Sequence, residues 1–339
     1  MTDFDPVRPL PWQVGTWTRL QQAIDAGRPA HALLLEGRPG TGRTQFSSAL
    51  AAQLLCERPT PEGACGTCKS CSLFSAGSHA DFLSLEPLEE GKAIGIDAVR
   101  EALQFLSRTP SLGVHKVLRV TPAQRMTPAA FNAFLKGLEE PPRGTTIMLV
   151  TAIGHPIPAT IRSRCQRWQL PEPSAEESLA LLRDFIGAQA GDEAGKGDER
   201  KGDEREAARL ESLVPRRPFH ALERLEHDSA SALLALRDAL AANEIEGAGA
   251  SARWRAQVLE RAAQVDIDTF LNMAEAALGR FLRTCTGAQL RGSQARLAFA
   301  GLDDIARQRA AIRAGSNPNP DLLRHRSIGF LVDSLLPRA

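Results

Sequence analysis

Gly37-Arg38-Pro39-Gly40-Thr41-Gly42-Arg43-Thr44 has the spacing of a phosphate-binding loop, G-x-x-x-x-G-K-[ST], with Arg43 where the pattern asks for lysine. Lysine serves there as a compact charge reaching terminal phosphates, whereas a planar guanidinium has a different shape and reach. Thr44 keeps the hydroxyl that would touch Mg²⁺. The segment also reads as a plain structural turn that keeps its glycines for backbone geometry. Cys56, Cys65, Cys68 and Cys71 form a second group, spaced C-x8-C-x2-C-x2-C. Four thiolates would saturate a tetrahedral Zn²⁺ and leave no open position, as a structural site requires. A redox pair, unligated thiols, or His79 replacing one sulfur are the other readings. Cys165 and Cys285 stand alone and read as ordinary core thiols.

The elements that would carry these groups alternate. Residues 17–26 read as an amphipathic helix, and His31–Glu36 as a buried parallel strand ending at the glycine loop. Gln45–Leu55 reads as a helix, followed by the cysteine-rich insertion. Residues 97–106 read as a helix, Lys116–Val120 as a strand, Ala129–Glu140 as a helix and Thr146–Val150 as a strand. This predicts an α/β domain with a parallel sheet and flanking helices.

A nucleotide-hydrolysing site also needs an acidic pair at a strand end to hold Mg²⁺ and orient water. Here Val120 is followed by Thr121, Pro122, Ala123 and Gln124, with no carboxylate. Hydrolysis and ATP binding are therefore not expected.

Beyond Pro173 the strand signals stop. Residues 174–186 and 204–226 read as helices around a charged stretch near 189–205. That stretch contains the tandem KGDER-KGDER and lacks large apolar residues, so it reads as a disordered insertion. Residues 228–339 are rich in Ala, Leu and Arg, broken by GAGAS, TGAQLRG and GSNPNP, and predict about five helices. The expected domains are 1–170 (with the zinc module at 56–71), a small helical domain at 171–226 and an all-helical domain at 227–339.

Composition bounds the function. The 339 residues carry a formal net charge of +1, with no tyrosine and 5% aromatics, so neither a global basic field nor a stacking platform draws the chain to nucleic acid. No apolar run approaches the ~20 residues of a membrane span. The opening MTDFDPVRPLPW does not read as a signal peptide, so a cytoplasmic location is expected.

Three further segments carry a resemblance. Thr127–Pro142, TPAAFNAFLKGLEEPP, resembles the A-x-N-A-L-L-K-x-L-E-E-P-P stretch of bacterial DNA polymerase III clamp-loader subunits, members of the AAA+ family. Thr160–Cys165, TIRSRC, resembles their S-R-C motif, and Ile96–Arg100 their I-D-x-x-R segment. The ordered matches cover residues 31–170; Asp303–Leu336 fits the last collar helices more loosely. Motor subunits of that family carry G-K-[ST] and D-E-x-H. Retaining the cysteine module and S-R-C while losing both boxes resembles the delta-prime type.

The resemblance implies a non-hydrolysing subunit of a polymerase holoenzyme, with Arg164 as an arginine finger in the ATP site of a neighbour. The implied partners are motor (gamma/tau) and delta subunits, the sliding clamp and primed DNA. Thr151 is similar in place to a phosphate-sensing residue, and Arg216 or Arg217 to a lid arginine. The alternatives are a divergent, active motor-type ATPase using Arg43 and a carboxylate such as Asp97, and a zinc-dependent nucleic-acid-binding module.

Overall fold

The computed structural model describes residues 7–25, 31–89, 92–190, 199–226, 230–241, 250–313, 316 and 318–335. The chain divides into two compact units, Met1–His220 and Ala221–Ala339.

The first unit runs α1 (Val14–Asp25), β1 (Ala32–Gly37), α2 (Arg43–Leu55), α3 (Lys69–Ser75), β2 (Phe82–Leu85), α4 (Ile96–Ser107), β3 (Lys116–Val120), α5 (Pro128–Glu139), β4 (Thr145–Ala152), α6 (Ala159–Arg162), β5 (Gln166–Gln169), α7 (Ala175–Ala190) and α8 (Glu199–Leu213). It ends inside α9 (Pro218–Glu226). All five strands pair in parallel, in the order β2-β3-β4-β1-β5.

The central strands are covered on both faces, and the two-residue alternation of strand side chains sorts their apolar residues between two cores. Ala32 and Leu34 of β1 join Leu118, Val120, Ile147 and Leu149 under α4 and α5, with Phe131, Phe134 and Leu106. Leu33 and Leu35 join Val117, Met148 and Val150 under α1 and α2, with Trp17, Phe46 and Leu50. Trp17 meets Phe46 edge-on at 5.7 Å between ring centroids.

The expected helices and three central strands are present with boundaries moved by a few residues. The helical stretch expected over 204–226 is broken at Val214–Arg217 into α8 and α9, and the strands β2 and β5 and the helix α3 had not been expected. β5, Gln-Arg-Trp-Gln, is a mostly exposed edge strand and so lacks an apolar run. β2 is four residues long. α3 lies inside the cysteine-rich stretch and is capped by the sulfur of Cys68, which accepts from the Cys71 N–H.

The charged insertion needs a correction where it is described. The second pentapeptide, Lys201–Arg205, belongs to α8. Its Lys, Glu and Arg favour helix, and the apolar residues that anchor the segment, Ala207 and Leu210, lie one to two turns further on and are buried. Residues 191–198, with most of the first copy, lie outside the described residues.

The second unit contains α10 (Ala230–Ala241), α11 (Ala250–Ala262), α12 (Ile267–Thr284), α13 (Ser293–Arg313) and α14 (Pro320–Leu335). Trp254, Val258, Phe270, Leu271, Leu278, Ile328 and Leu331 fill its interior. Asp304 of α13, itself buried, ties α13 to α14 through Arg326 at 2.5 Å. No described helix is long and apolar enough to cross a membrane.

Candidate functional site

The loop at Gly37–Thr44 joins the C-terminal end of β1 to the N-terminus of α2, the position at which a parallel α/β sheet binds ligands and a helix N-terminus favours anions. Gly40 and Gly42 have φ of +80° and +85°, a left-handed backbone that glycine adopts without cost. The space beside both is filled by the chain itself. A Cβ at Gly42 would lie 2.3 Å from Leu10 Cδ1 and 3.1 Å from Phe219 Cε2; one at Gly40 would lie 2.7 Å from His220 Cγ. Loop carbonyls are also taken: Trp12 Nε1 donates to Thr41 O at 3.1 Å, Gln13 Nε2 to Gly42 O at 2.8 Å and the Phe219 N–H to Gly40 O at 3.2 Å. The Arg43 stem folds back toward Gly37, whose Cβ would sit 3.0 Å from Arg43 Cγ. Thr44 is exposed.

β3 delivers no carboxylate beside this loop. Its last residue is followed by a cis Thr121–Pro122 peptide and then Ala123 and Gln124. Gln124 Oε1 accepts from Thr151 Oγ1 at 2.9 Å and from the Ala152 N–H at 3.3 Å. Thr151 at the end of β4 therefore spends its hydroxyl on a neighbouring side chain. Asp97, the alternative carboxylate, sits in the exposed first turn of α4 and pairs with Arg100 at 3.1 Å. Arg216 donates through Nε to Pro173 O at 2.7 Å, while the Cβ of Arg217 lies 3.0 Å from where a Gly40 Cβ would be.

The four cysteines of the insertion converge. Their sulfurs lie within 4.8 Å of one another, with Cys56–Cys71 at 3.6 Å and Cys56–Cys68 and Cys65–Cys71 both at 3.9 Å. Bonds of ~2.3 Å from a tetrahedral Zn²⁺ put sulfurs about 3.8 Å apart, so the set fits that ion and is far too open for disulfides. Backbone N–H groups of Arg58 and Cys65 both donate to Cys56 Sγ at 3.3 Å, as thiolate ligands require. The Thr67 N–H is the main reason the Cys65 thiol is lowered to about 6. Burial pushes the Cys56 and Cys71 thiols up.

His79 is not part of the set. Its Nδ1 accepts from the Asp81 N–H at 3.1 Å, which assigns the proton of the neutral ring to Nε2, 2.8 Å from Ser70 Oγ. Ser70 in turn donates to Leu55 O at 2.6 Å. His79 thus fastens the module to the start of β2. Cys165 packs against the α4–α5 core, where burial raises its thiol to about 11.

Arg164 lies just past α6. Its Nε and Nη2 donate to Glu139 Oε1 at 3.1 and 2.7 Å, and its Nη1 to Thr160 O at 2.9 Å. Its guanidinium is exposed but engaged within its own chain. Sequence spacing held no signal for the pairing of Glu139 with Arg164, which depends on α5 and α6 packing side by side.

Residues 12–174 match the family model described as DNA polymerase III, delta subunit. Over that segment the chain is similar to DNA polymerase III delta-prime subunits. The delta-prime subunit of Pseudomonas aeruginosa is 43% identical over 174 residues, 51% of this chain and 52% of that one. That of Escherichia coli is 39% identical over 176 residues, 52% of this chain and 53% of that one. The tau subunit of Bacillus subtilis is 30% identical over 170 residues, half of this chain and 30% of the relative. The chain spans about half the length of the curated delta-prime relatives it matches. A solved gamma-subunit-related protein of Thermotoga maritima aligns with 95% of this chain and 99% of its own, at a TM-score of 0.51 and 21% identity, a likeness of fold. The matched segment contains the glycine loop, the cysteine cluster and Arg164.

Proposed function

We propose that the chain is a non-hydrolysing clamp-loader subunit of delta-prime type, working in the cytoplasm. It would assemble with motor (gamma/tau) and delta subunits, extend Arg164 toward the ATP site of an adjoining motor subunit, and help load the sliding clamp on primed DNA. Residues 171–226 would serve as the lid and 227–339 as the collar of an AAA+ architecture, with the cysteine cluster holding one structural Zn²⁺.

The observation that carries the non-hydrolysing reading is the end of β3. Phosphoryl transfer to water needs a metal-holding carboxylate and a group that orients the water. This strand end offers threonine, proline, alanine and a glutamine already bound to Thr151. The glycine loop supports the same reading, since Leu10, Phe219 and His220 crowd the left-handed glycines. Arg164 supports the assembly role, because it lies on the surface just after α6 and has no hydrolytic site of its own to serve. A guanidinium supplied to a neighbour stabilises charge on a transferring phosphoryl group, worth ~10³–10⁵ in rate where measured.

The test is reconstitution. The purified chain alone should release no phosphate from ATP, and should be retained by the motor and delta subunits of the same cell. In the assembled ring, Arg164→Ala should slow clamp-stimulated hydrolysis and loading without loss of assembly by sizing. Hydrolysis by the isolated chain that disappears with Arg43→Ala would replace this reading with the motor-type ATPase.

A further inference from the structure

We propose that Glu139 is a positioning residue for Arg164: it fixes the guanidinium so that the neighbour's phosphate meets donors already in place. This rests on the reading of Arg164 as a residue that acts on an adjoining subunit.

An exposed arginine has many rotamers, and an anion that captures one must order the rest of the side chain at the moment of binding. Arg164 is already ordered. Glu139, the last residue of α5, accepts from both Nε and Nη2 with the single oxygen Oε1. This places the carboxylate against one edge of the planar group. Thr160 O, from within α6, accepts from Nη1 and restrains the group from the other side. A guanidinium has five N–H donors, and these contacts use three. Nη1 also donates to Ser163 Oγ at 3.5 Å; because the group is planar, the second Nη2 hydrogen points away from the edge that Glu139 occupies.

The two anchors come from segments brought together by the fold. Glu139 ends the helix within TPAAFNAFLKGLEEPP, and Arg164 comes two residues after the end of α6. Glu139 is half exposed, with its side chain at 51%, and Arg164 at 36%. Exposed pairs of this kind contribute little to folding. Glu139 can therefore be changed without unfolding the chain, and its effect should appear in the rate rather than in stability.

The experiment uses the full chain in the reconstituted ring with motor subunits, delta subunit, clamp and primed DNA. Steady-state ATP turnover and clamp loading are measured for wild type, Glu139→Ala, Glu139→Gln, Arg164→Ala and the Glu139→Ala/Arg164→Ala double variant. Assembly is checked by sizing. Glu139→Ala should lower kcat about fivefold, the equivalent of one exposed charge-assisted contact, and leave KM for ATP unchanged. Glu139→Gln keeps an oxygen that accepts the same two N–H groups and should recover part of the loss. In the Arg164→Ala background, Glu139→Ala should add nothing, since the two act as a unit.

If Arg164→Ala slows the ring while Glu139→Ala has no effect, or accelerates it, the positioning role is overturned and the reading of Arg164 stands. An additive loss in the double variant overturns the role in the same way. If Arg164→Ala itself leaves turnover and loading unchanged, both fall together.

Discussion

Asp81 and Lys116 face each other at 3.2 Å with their side chains shut off from water. The carboxylate also accepts from the Ser111 and Leu112 N–H groups at 2.7 and 2.8 Å, and the ammonium lies 4.1 Å from the Phe105 ring centroid. Asp81→Asn would leave the ammonium buried without its counter-charge, and should cost about 3–5 kcal/mol in a denaturant titration. Burial alone would raise the Asp81 carboxyl, but the two backbone donors and Lys116 outweigh it and hold it below the ordinary carboxylate range. A depressed folded-state value means stabilisation that is complete above the unfolded value near about 4 and disappears as pH falls through the folded one. The wild-type chain should therefore lose stability below about pH 4 more steeply than Asp81→Asn. Matching acid limbs in the two stability curves would show that the pair carries no such linkage. At the cysteines, Cys68→Ser should reduce bound zinc from about one equivalent by elemental analysis and lower the melting temperature, because a four-ligand site is coupled to folding. Wild-type protein purified without chelator and free of metal would exclude the site.

The helices and strands differ in how tightly they hold their glycines. A side chain at Gly42, at the start of α2, meets both a left-handed backbone and Leu10 at 2.3 Å. Gly42→Ala should cost about 2–4 kcal/mol. Gly137, in α5, faces only the flexible end of Leu103, also at 2.3 Å, and alanine gains about 1 kcal/mol of helix propensity there. Gly137→Ala should thus change stability by less than about 1 kcal/mol, with Leu103 moving aside. Thermal unfolding of the two variants side by side decides whether the loop is built as rigidly as its contacts indicate.

The same elements show what was legible in the sequence. Buried runs such as Ala32–Gly37 and the periodic helices announced themselves, because burial on two faces or one stripe leaves a pattern of residue types. β5 did not, because an edge strand with water on it can be polar. The cysteine set could be read from spacing alone, since neighbouring ligands come from one loop. The Glu139–Arg164 contact and the Gln124–Thr151 bond could not, because each joins side chains 25 or more residues apart through the packing of separate elements.

For the molecule as a whole, restoring the most familiar residue of the phosphate loop should not restore an enzyme. Arg43→Lys rebuilds G-x-x-x-x-G-K-T but leaves Thr121, Pro122, Ala123 and Gln124 where a metal ligand and a water-orienting group are needed. Phosphate release by the isolated variant should stay at background, and turnover that appears with this single change would show that the end of β3 is no obstacle. The Ala221–Ala339 unit has its own buried interior, with Trp254 Nε1 donating to Ala239 O at 3.0 Å and Arg324 Nη2 to Val265 O at 2.7 Å.

The crowding around Gly40 and Gly42 bears on how such a chain drifts over generations. Where a loop has ceased to hold nucleotide, neutral change would be expected to erase its glycines first. Here Leu10, Phe219 and His220 press on those two positions, so selection for folding alone would return glycine at Gly42 even in a lineage that never meets ATP. The position of Arg43 lacks that constraint, because a side chain already occupies it. A pool of randomised codons at 42 and 43, sorted only for soluble folded protein, should come back nearly uniform at the first and mixed at the second. A glycine-rich loop can therefore outlive its chemistry as a fossil held in place by packing.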